Sequence, residues 1–296
     1  MISDQRFYKD NKLLKWITYY PTGYWTEISH LSTSENLSNS SLPKISETLY
    51  SEKDQTQVYI IYYSQSGQKV KETHFNGSPT SFKEIFYDSL NKKKYEGGTK
   101  EGKYDGKGLL YENGVLGYDG HFKSGLKEGF GKSYFTNSQQ ISYKGSFLLN
   151  KRHGYGMLFY VGDNNIIRYK GHFVKNFFEG RGQLFDSIGN KIYEGFFKKN
   201  SRDGQGISFL ENNKNYEGWF KDDMPDGIGK EYYTVTQKVK YSGHWNDGIL
   251  IKAKYFNRNG RLIFDGYYDE NGVTPVYGKL YERRTGFNYY IGYTKN

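Results

Sequence analysis

Aromatic and polar positions alternate along most of this chain, and from residue 95 onward the whole pattern returns every 23 to 26 residues. Each return opens on an aromatic-x-glycine triplet. The pairs are Tyr95 with Gly97, Tyr118 with Gly120, Tyr143 with Gly145, Tyr169 with Gly171, Tyr193 with Gly195, Tyr216 with Gly218, Tyr241 with Gly243 and Phe264 with Gly266; a last triplet begins at Tyr290. Four places after the first aromatic stands a second one: Phe122, Phe147, Phe173, Phe197, Phe220, Trp245 and Tyr268, with Thr99 the exception. One place after it stands a polar residue such as Glu96, Lys144 or Glu217. Strand side chains alternate between faces, so this spacing predicts strands with one aromatic and one wet face.

Seven places after each first aromatic comes Gly102, Gly125, Asn150, Asn176, Asn200, Asp223, Gly248 or Asn271, residue types that tolerate a left-handed backbone. A hairpin turn is expected there. A Gly-x-Gly follows in six consecutive units, from Gly106 and Gly108 to Gly227 and Gly229. The chain then returns to the next triplet through turns such as Glu112-Asn113-Gly114. Glycine ordinarily weakens a strand, so its fixed placement predicts room for rings lying flat over the backbone. In the seventh and eighth units the Gly-x-Gly places fall on Lys252 and Lys254, and on Pro275 and Tyr277, which marks a distorted cap.

This pattern resembles the MORN repeat family over residues 95–296. Paired aromatics before x-Gly turns, as in Tyr19-Tyr20-Pro21-Thr22-Gly23 and His74-Phe75-Asn76-Gly77, resemble the bacterial-type MORN variant. The resemblance implies an all-β fold: an elongated, single-layer antiparallel array of β-hairpins, curled into a gutter. Leu31 to Asp54 is rich in Ser, Thr, Asn and Glu and reads as a long mobile insertion. The expected division is residues 1–56, a degenerate hairpin with that insertion; 57–94, degenerate hairpins; and 95–296, the regular array with a carboxy-terminal cap.

Composition fits such an array. Tyr 31, Phe 20 and Gly 36 stand in for an aliphatic core, with a mean hydropathy of −0.86. The absence of cysteine excludes disulfides and thiolate metal sites. Neither an apolar run long enough to span a bilayer nor a leader-like start is present, so a cytoplasmic location is expected, cytoskeletal, axonemal or at a membrane surface. The net charge of +10, from 42 basic and 32 acidic residues, favours acidic partners without a long basic block to single one out.

Catalytic chemistry finds little footing. Gly125 to Gly131 followed by Lys132-Ser133 imitates a phosphate-binding loop, but its spacing is one residue too long and a strand follows instead of a helix. His121, His172 and His244 recur at one repeat position, two strands per unit apart, too distant to share a metal. No catalytic, cofactor-binding or metal residue is therefore assigned, and no cofactor or small-molecule substrate is expected. Lys92, Lys93, Lys94, Lys100, Lys123, Lys198 and Lys221 are the candidate contacts for an anionic partner. MORN proteins as a family occur in cytoskeletal, ciliary and membrane-associated complexes. The expected function is a non-catalytic scaffold or protein-interaction rod that binds a protein partner or a second copy; the alternative is a peripheral module binding anionic phospholipid. Nucleic acid is not favoured.

Overall fold

The computed structural model describes residues 3–9, 12–20, 24–30, 44–51, 57–64, 66–78, 81–136, 138–162, 165–281 and 288–292. Among them the chain is all-β, without a helix, from β1 (Ser3–Lys9) to β24 (Asn288–Gly292). It divides into two compact units, Met1–Gln139 and Gln140–Asn296. In the first, consecutive strands from β1 through β11 (Leu126–Tyr134) pair antiparallel. In the second, β12 (Ile141–Leu148) through β24 do the same. Among the described residues no pairing joins the first and last strands of a unit, so these runs of hairpins do not close into barrels.

The turns explain the hairpins. Both central residues are left-handed in Glu101-Gly102, Ser124-Gly125, Leu149-Asn150, Lys175-Asn176, Lys199-Asn200, Asp222-Asp223 and Asp247-Gly248. That is the type I′ geometry, whose twist matches paired strands. The side chains of these turns also tie one hairpin to its predecessor: Asn176 Oδ1 accepts from Arg152 N at 2.8 Å and Asn200 Oδ1 from Phe178 N at 2.8 Å. In the eighth unit the left-handed residue is Gly272, one place beyond the expected Asn271.

The two glycines of each Gly-x-Gly have different jobs. The first, such as Gly154 or Gly204, is left-handed (φ 72° and 105°) and sits in a bulge: Gly145 faces Gly156, yet Phe147 faces Arg152. The second joins the triplet glycines in a row across the sheet, Gly171 facing Gly182, Gly182 facing Gly195 and Gly195 facing Gly206. Here the row continues differently from the sequence expectation. Gly243 faces Ala253 and Gly266 faces Gly278, so the equivalent places are Ala253 and Gly278 and not Lys254 or Tyr277. The bulge is shorter in both units, and in the eighth a longer turn more than makes up the difference, so counting from the triplet misses the register by one.

Over that row lie the tyrosines. Tyr95, Tyr118, Tyr143, Tyr169 and Tyr193 are fully buried, and with Tyr216 their hydroxyls donate to the carbonyl three residues on, at 2.7–3.2 Å. A Cβ on Gly206 would meet Cζ of Tyr193 at 2.5 Å. Tyr193 in turn meets Phe197 of its own strand and Phe220 of the next unit edge-on, both at 5.1 Å. Arg202 covers the pair, its guanidinium 5.6 Å from the Tyr193 ring and 5.2 Å from Phe220. Tyr104 and Phe178 take the covering place over Tyr95 and Tyr169, stacked at 3.7 and 3.8 Å. Each unit thus completes the core of its neighbour.

Two features of the amino-terminal part depart from the sequence expectation or explain it. Residues 44–51, assigned to the mobile insertion, form β4 (Lys44–Ser51), paired between β3 (Tyr24–His30) and β5 (Gln57–Tyr63). Its Ser and Thr content hid an alternation in which Thr48 is buried; residues 31–43 and 52–54 lie outside the described residues. Beyond Gly97 the glycine row becomes Glu84, Thr73, Ile60 and Thr48. Thr99, the exception to the second aromatic, donates to the buried Glu84 carboxylate at 2.6 Å, which Lys71 also meets at 2.8 Å. The aromatic ladder gives way there to a polar network.

Candidate interaction face

On the first strand of each hairpin the places at odd offsets from the tyrosine point to the opposite, open face, and on the second strand the places beside the row glycine do. In the second unit that face carries Tyr155, Phe196, Trp219, Ile228, Tyr267 and Tyr277, between 42% and 73% exposed. Phe196 and Trp219 lean over the bulge glycines of the neighbouring strand. A Cβ on Gly204 would lie 3.0 Å from Phe196 Cβ, and one on Gly227 3.2 Å from Trp219 Cβ. Around them is a groove of about 570 Å³ whose floor includes Gly195, Gly206, Gly218 and Gly229 and whose rim includes Arg181, Gln205, Ile228 and Lys230.

Electrostatics on this face are asymmetric. Glu194 pairs with Lys191 at 2.8 Å, and Glu217 with Lys214 at 3.1 Å. The Lys191 hydrogen bond holds Glu194 below the usual carboxylate range; for Glu217 the Tyr232 hydroxyl, donating at 2.8 Å, does so first and Lys214 adds to it. The acids are thus satisfied internally. The second unit as a whole holds 24 basic and 16 acidic residues, a net +8, against 18 and 16, or +2, in the first.

The residues singled out in the sequence fall elsewhere. The repeat tyrosines, glycines and second aromatics form the tyrosine face, where Trp245 is 4% exposed. Of the lysines, Lys92, Lys94, Lys100, Lys198 and Lys221 are exposed, while Lys93 pairs with Glu96 at 2.8 Å and Lys123 with Glu128 at 3.5 Å. Lys100 and Lys123 line one groove of the first unit; Lys92, Lys93 and Lys94 also belong to that unit, and Lys198 and Lys221 to the second. Nδ1 of His121 and of His172 lies 3.2 and 3.4 Å from the carbonyls of Phe130 and Arg181, and no metal-ligand cluster occurs among the described residues. The sequence signal for the open-face rings was the aromatic at a wet-face place, three after the triplet's first aromatic, in Phe196, Trp219 and Tyr267.

A family model for the MORN repeat matches residues 118–140, 143–163, 169–191, 193–210 and 216–235. Residues 118–235 are a run of MORN repeats. The groove is built on the last three of these MORN repeats, with Arg181, Phe196 and Trp219 from successive ones. No match to a curated protein was found. Among solved structures, a chain of the "Crystal Structure of TcdB2-TccC3-Cdc42" aligns over 95% of this chain at 9% identity with a TM-score of 0.18. This chain spans 17% of that one, and so low a score carries no argument about fold or function.

Proposed function

We propose that this chain is a non-catalytic protein-interaction scaffold. MORN repeats are a non-enzymatic repeat type, found generally in protein-interaction or membrane-associated proteins. The observation that supports the interaction reading is the row of half-exposed rings on the open face of the second unit. Apolar surface left exposed beside a sheet that already buries its own aromatic core marks a contact surface. Cross-linking of the full chain in its native cells, followed by mass spectrometry, tests this: specific protein cross-links are expected. Their absence, together with recovery of the chain on lipid, would overturn it.

A second reading is favoured by another patch. Where four other units carry a lysine five places after the triplet aromatic, two successive units carry Leu148 and Val174, 42% and 39% exposed, beside Leu149 and Phe177 at 57% and 46%. Lys151 pairs across the turn with Leu148, Lys175 follows Val174, and Lys198 and Lys199 stand at the turn of the next hairpin. Apolar turn side chains with lysines close by suit the surface of an anionic membrane. Co-sedimentation with phosphatidylserine vesicles, lost in Leu149→Glu and in high salt, would support peripheral membrane attachment.

A further inference from the structure

We propose that the open face of the second unit, centred on Phe196, Trp219 and Ile228, docks an acidic segment of a partner protein that carries apolar side chains. This rests on the interaction-scaffold reading and adds the place and the chemistry of the contact.

Three observations converge on that occupant. Phe196, Trp219 and Ile228 are 46%, 48% and 73% exposed around one groove, although the same unit buries every repeat tyrosine from Tyr143 to Tyr216. Two of these rings lean over glycines that the bulges already require, so the groove is preformed by the backbone and needs little ordering to receive a ligand. The charge left over is positive. The groove carboxylates Glu194 and Glu217 are paired with Lys191 and Lys214; Arg181 and Lys230 on the rim attract the same two carboxylates only from beyond 4.0 Å, and Lys144, Lys170 and Lys254 along the same face form no ion pair within 4.0 Å among the described residues, so cations outnumber acids there. Carboxylates of an incoming segment would meet these cations, and its apolar side chains would cover Phe196, Trp219 and Ile228.

The same residues weigh against other polyanions. A single-stranded nucleic acid needs stacking platforms beside an uninterrupted cationic track for its phosphates. Ile228, the most exposed of the three, offers no π-face, and Glu194 and Glu217 interrupt the track. A bilayer surface meets protruding side chains, and this site is a groove floored by glycines.

The test uses the full chain and fluorescence anisotropy with a synthetic peptide alternating glutamate with leucine and phenylalanine. Its counterpart with lysine for glutamate, oligouridylate RNA and phosphatidylserine vesicles are run beside it. The glutamate peptide is expected to bind, more weakly in high salt, and Trp219→Ala and Ile228→Asp to weaken it by roughly tenfold or more. Lys107→Ala in the first unit should leave the affinity unchanged. Both altered positions are exposed, so unchanged melting temperatures will show that the variants are folded. The inference is overturned if the glutamate peptide does not bind, if the lysine peptide binds equally, if RNA or vesicles bind more tightly, or if Trp219→Ala binds like the parent. Cellular cross-links retained in both variants would overturn this surface and leave the scaffold reading standing. No cross-links from the parent chain would remove both.

Discussion

At the scale of single residues, the glycine row decides whether a tyrosine can be buried. A Cβ on Gly195 would overlap the Tyr193 hydroxyl and stand 2.5 Å from Gly206 Cα, so neither ring nor neighbouring strand can yield without opening the pairing. Nature has run a version of this change at Ala253. Its methyl lies in a stretch of the second unit's row, Gly145 to Gly278, that otherwise has none, and Tyr241 is only half-buried and tilted against Tyr255. Gly195→Val should therefore destabilise the chain by about 1–3 kcal/mol through overpacking, while the exposed Lys198→Ala changes it by less than about 0.5 kcal/mol. Thermal melts of the two variants check this, and equal shifts would contradict it. The buried hydroxyls add a pH dependence. Burial pushes Tyr118, Tyr143, Tyr193 and Tyr216 from 10.0 up to about 12. Between those values the unfolded chain releases phenolic protons that the folded chain retains, so stability is full below pH 10 and falls as pH rises toward 12. Melting temperatures across that window should drop steeply.

At the scale of the element, the hairpin depends on turns that double as ties. Asn200 combines a left-handed backbone, φ 77°, with a side chain that accepts from Phe178 N in the preceding hairpin. Asn200→Gly keeps the conformation and loses the tie; Asn200→Val loses both. The expected order of melting temperature is parent, then glycine, then valine, with valine costing about 2 kcal/mol or more. A valine variant as stable as the glycine one would show that the turn carries no backbone constraint. Recurrent charge clusters hold the amino-terminal hairpins in a similar way. Burial pushes Glu72 up, but Lys69, His74 and Tyr87 together outweigh it and hold the carboxyl at about 2; Lys83 and Lys93 do the same for Glu96. Stability from these acids is present above 4.5 and lost as pH falls toward 2. The double variant Glu72→Gln, Glu96→Gln should melt below the parent near neutral pH, with the difference vanishing in acid.

At the scale of the whole molecule, stability is a sum over neighbours, because each tyrosine is closed by its own unit and the next. Residues 140–296 alone should accordingly keep the circular-dichroism signature of a β-sheet and the alkaline transition of Tyr143, Tyr193 and Tyr216. A collapse to random coil would show that the second unit has no independent core. Much of this organisation was legible beforehand. The period, the hairpin turns and the tyrosine-glycine face are local regularities, and a strand's two-residue alternation projects them directly onto one side of a sheet. What the chain alone could not show was anything set by cross-strand register. The shorter bulge that brings Ala253 and Gly278 into the glycine row leaves no trace in residue type, and neither does the Glu84 carboxylate that explains Thr99. The Ser and Thr of β4 read as loop until pairing on both sides buried Thr48. The interaction face is the clearest case. Phe196, Trp219 and Ile228 lie on different strands, at wet-face places where an aromatic or aliphatic side chain is not required. Only antiparallel pairing, with bulge glycines opening space beneath two of them, gathers them into one exposed groove.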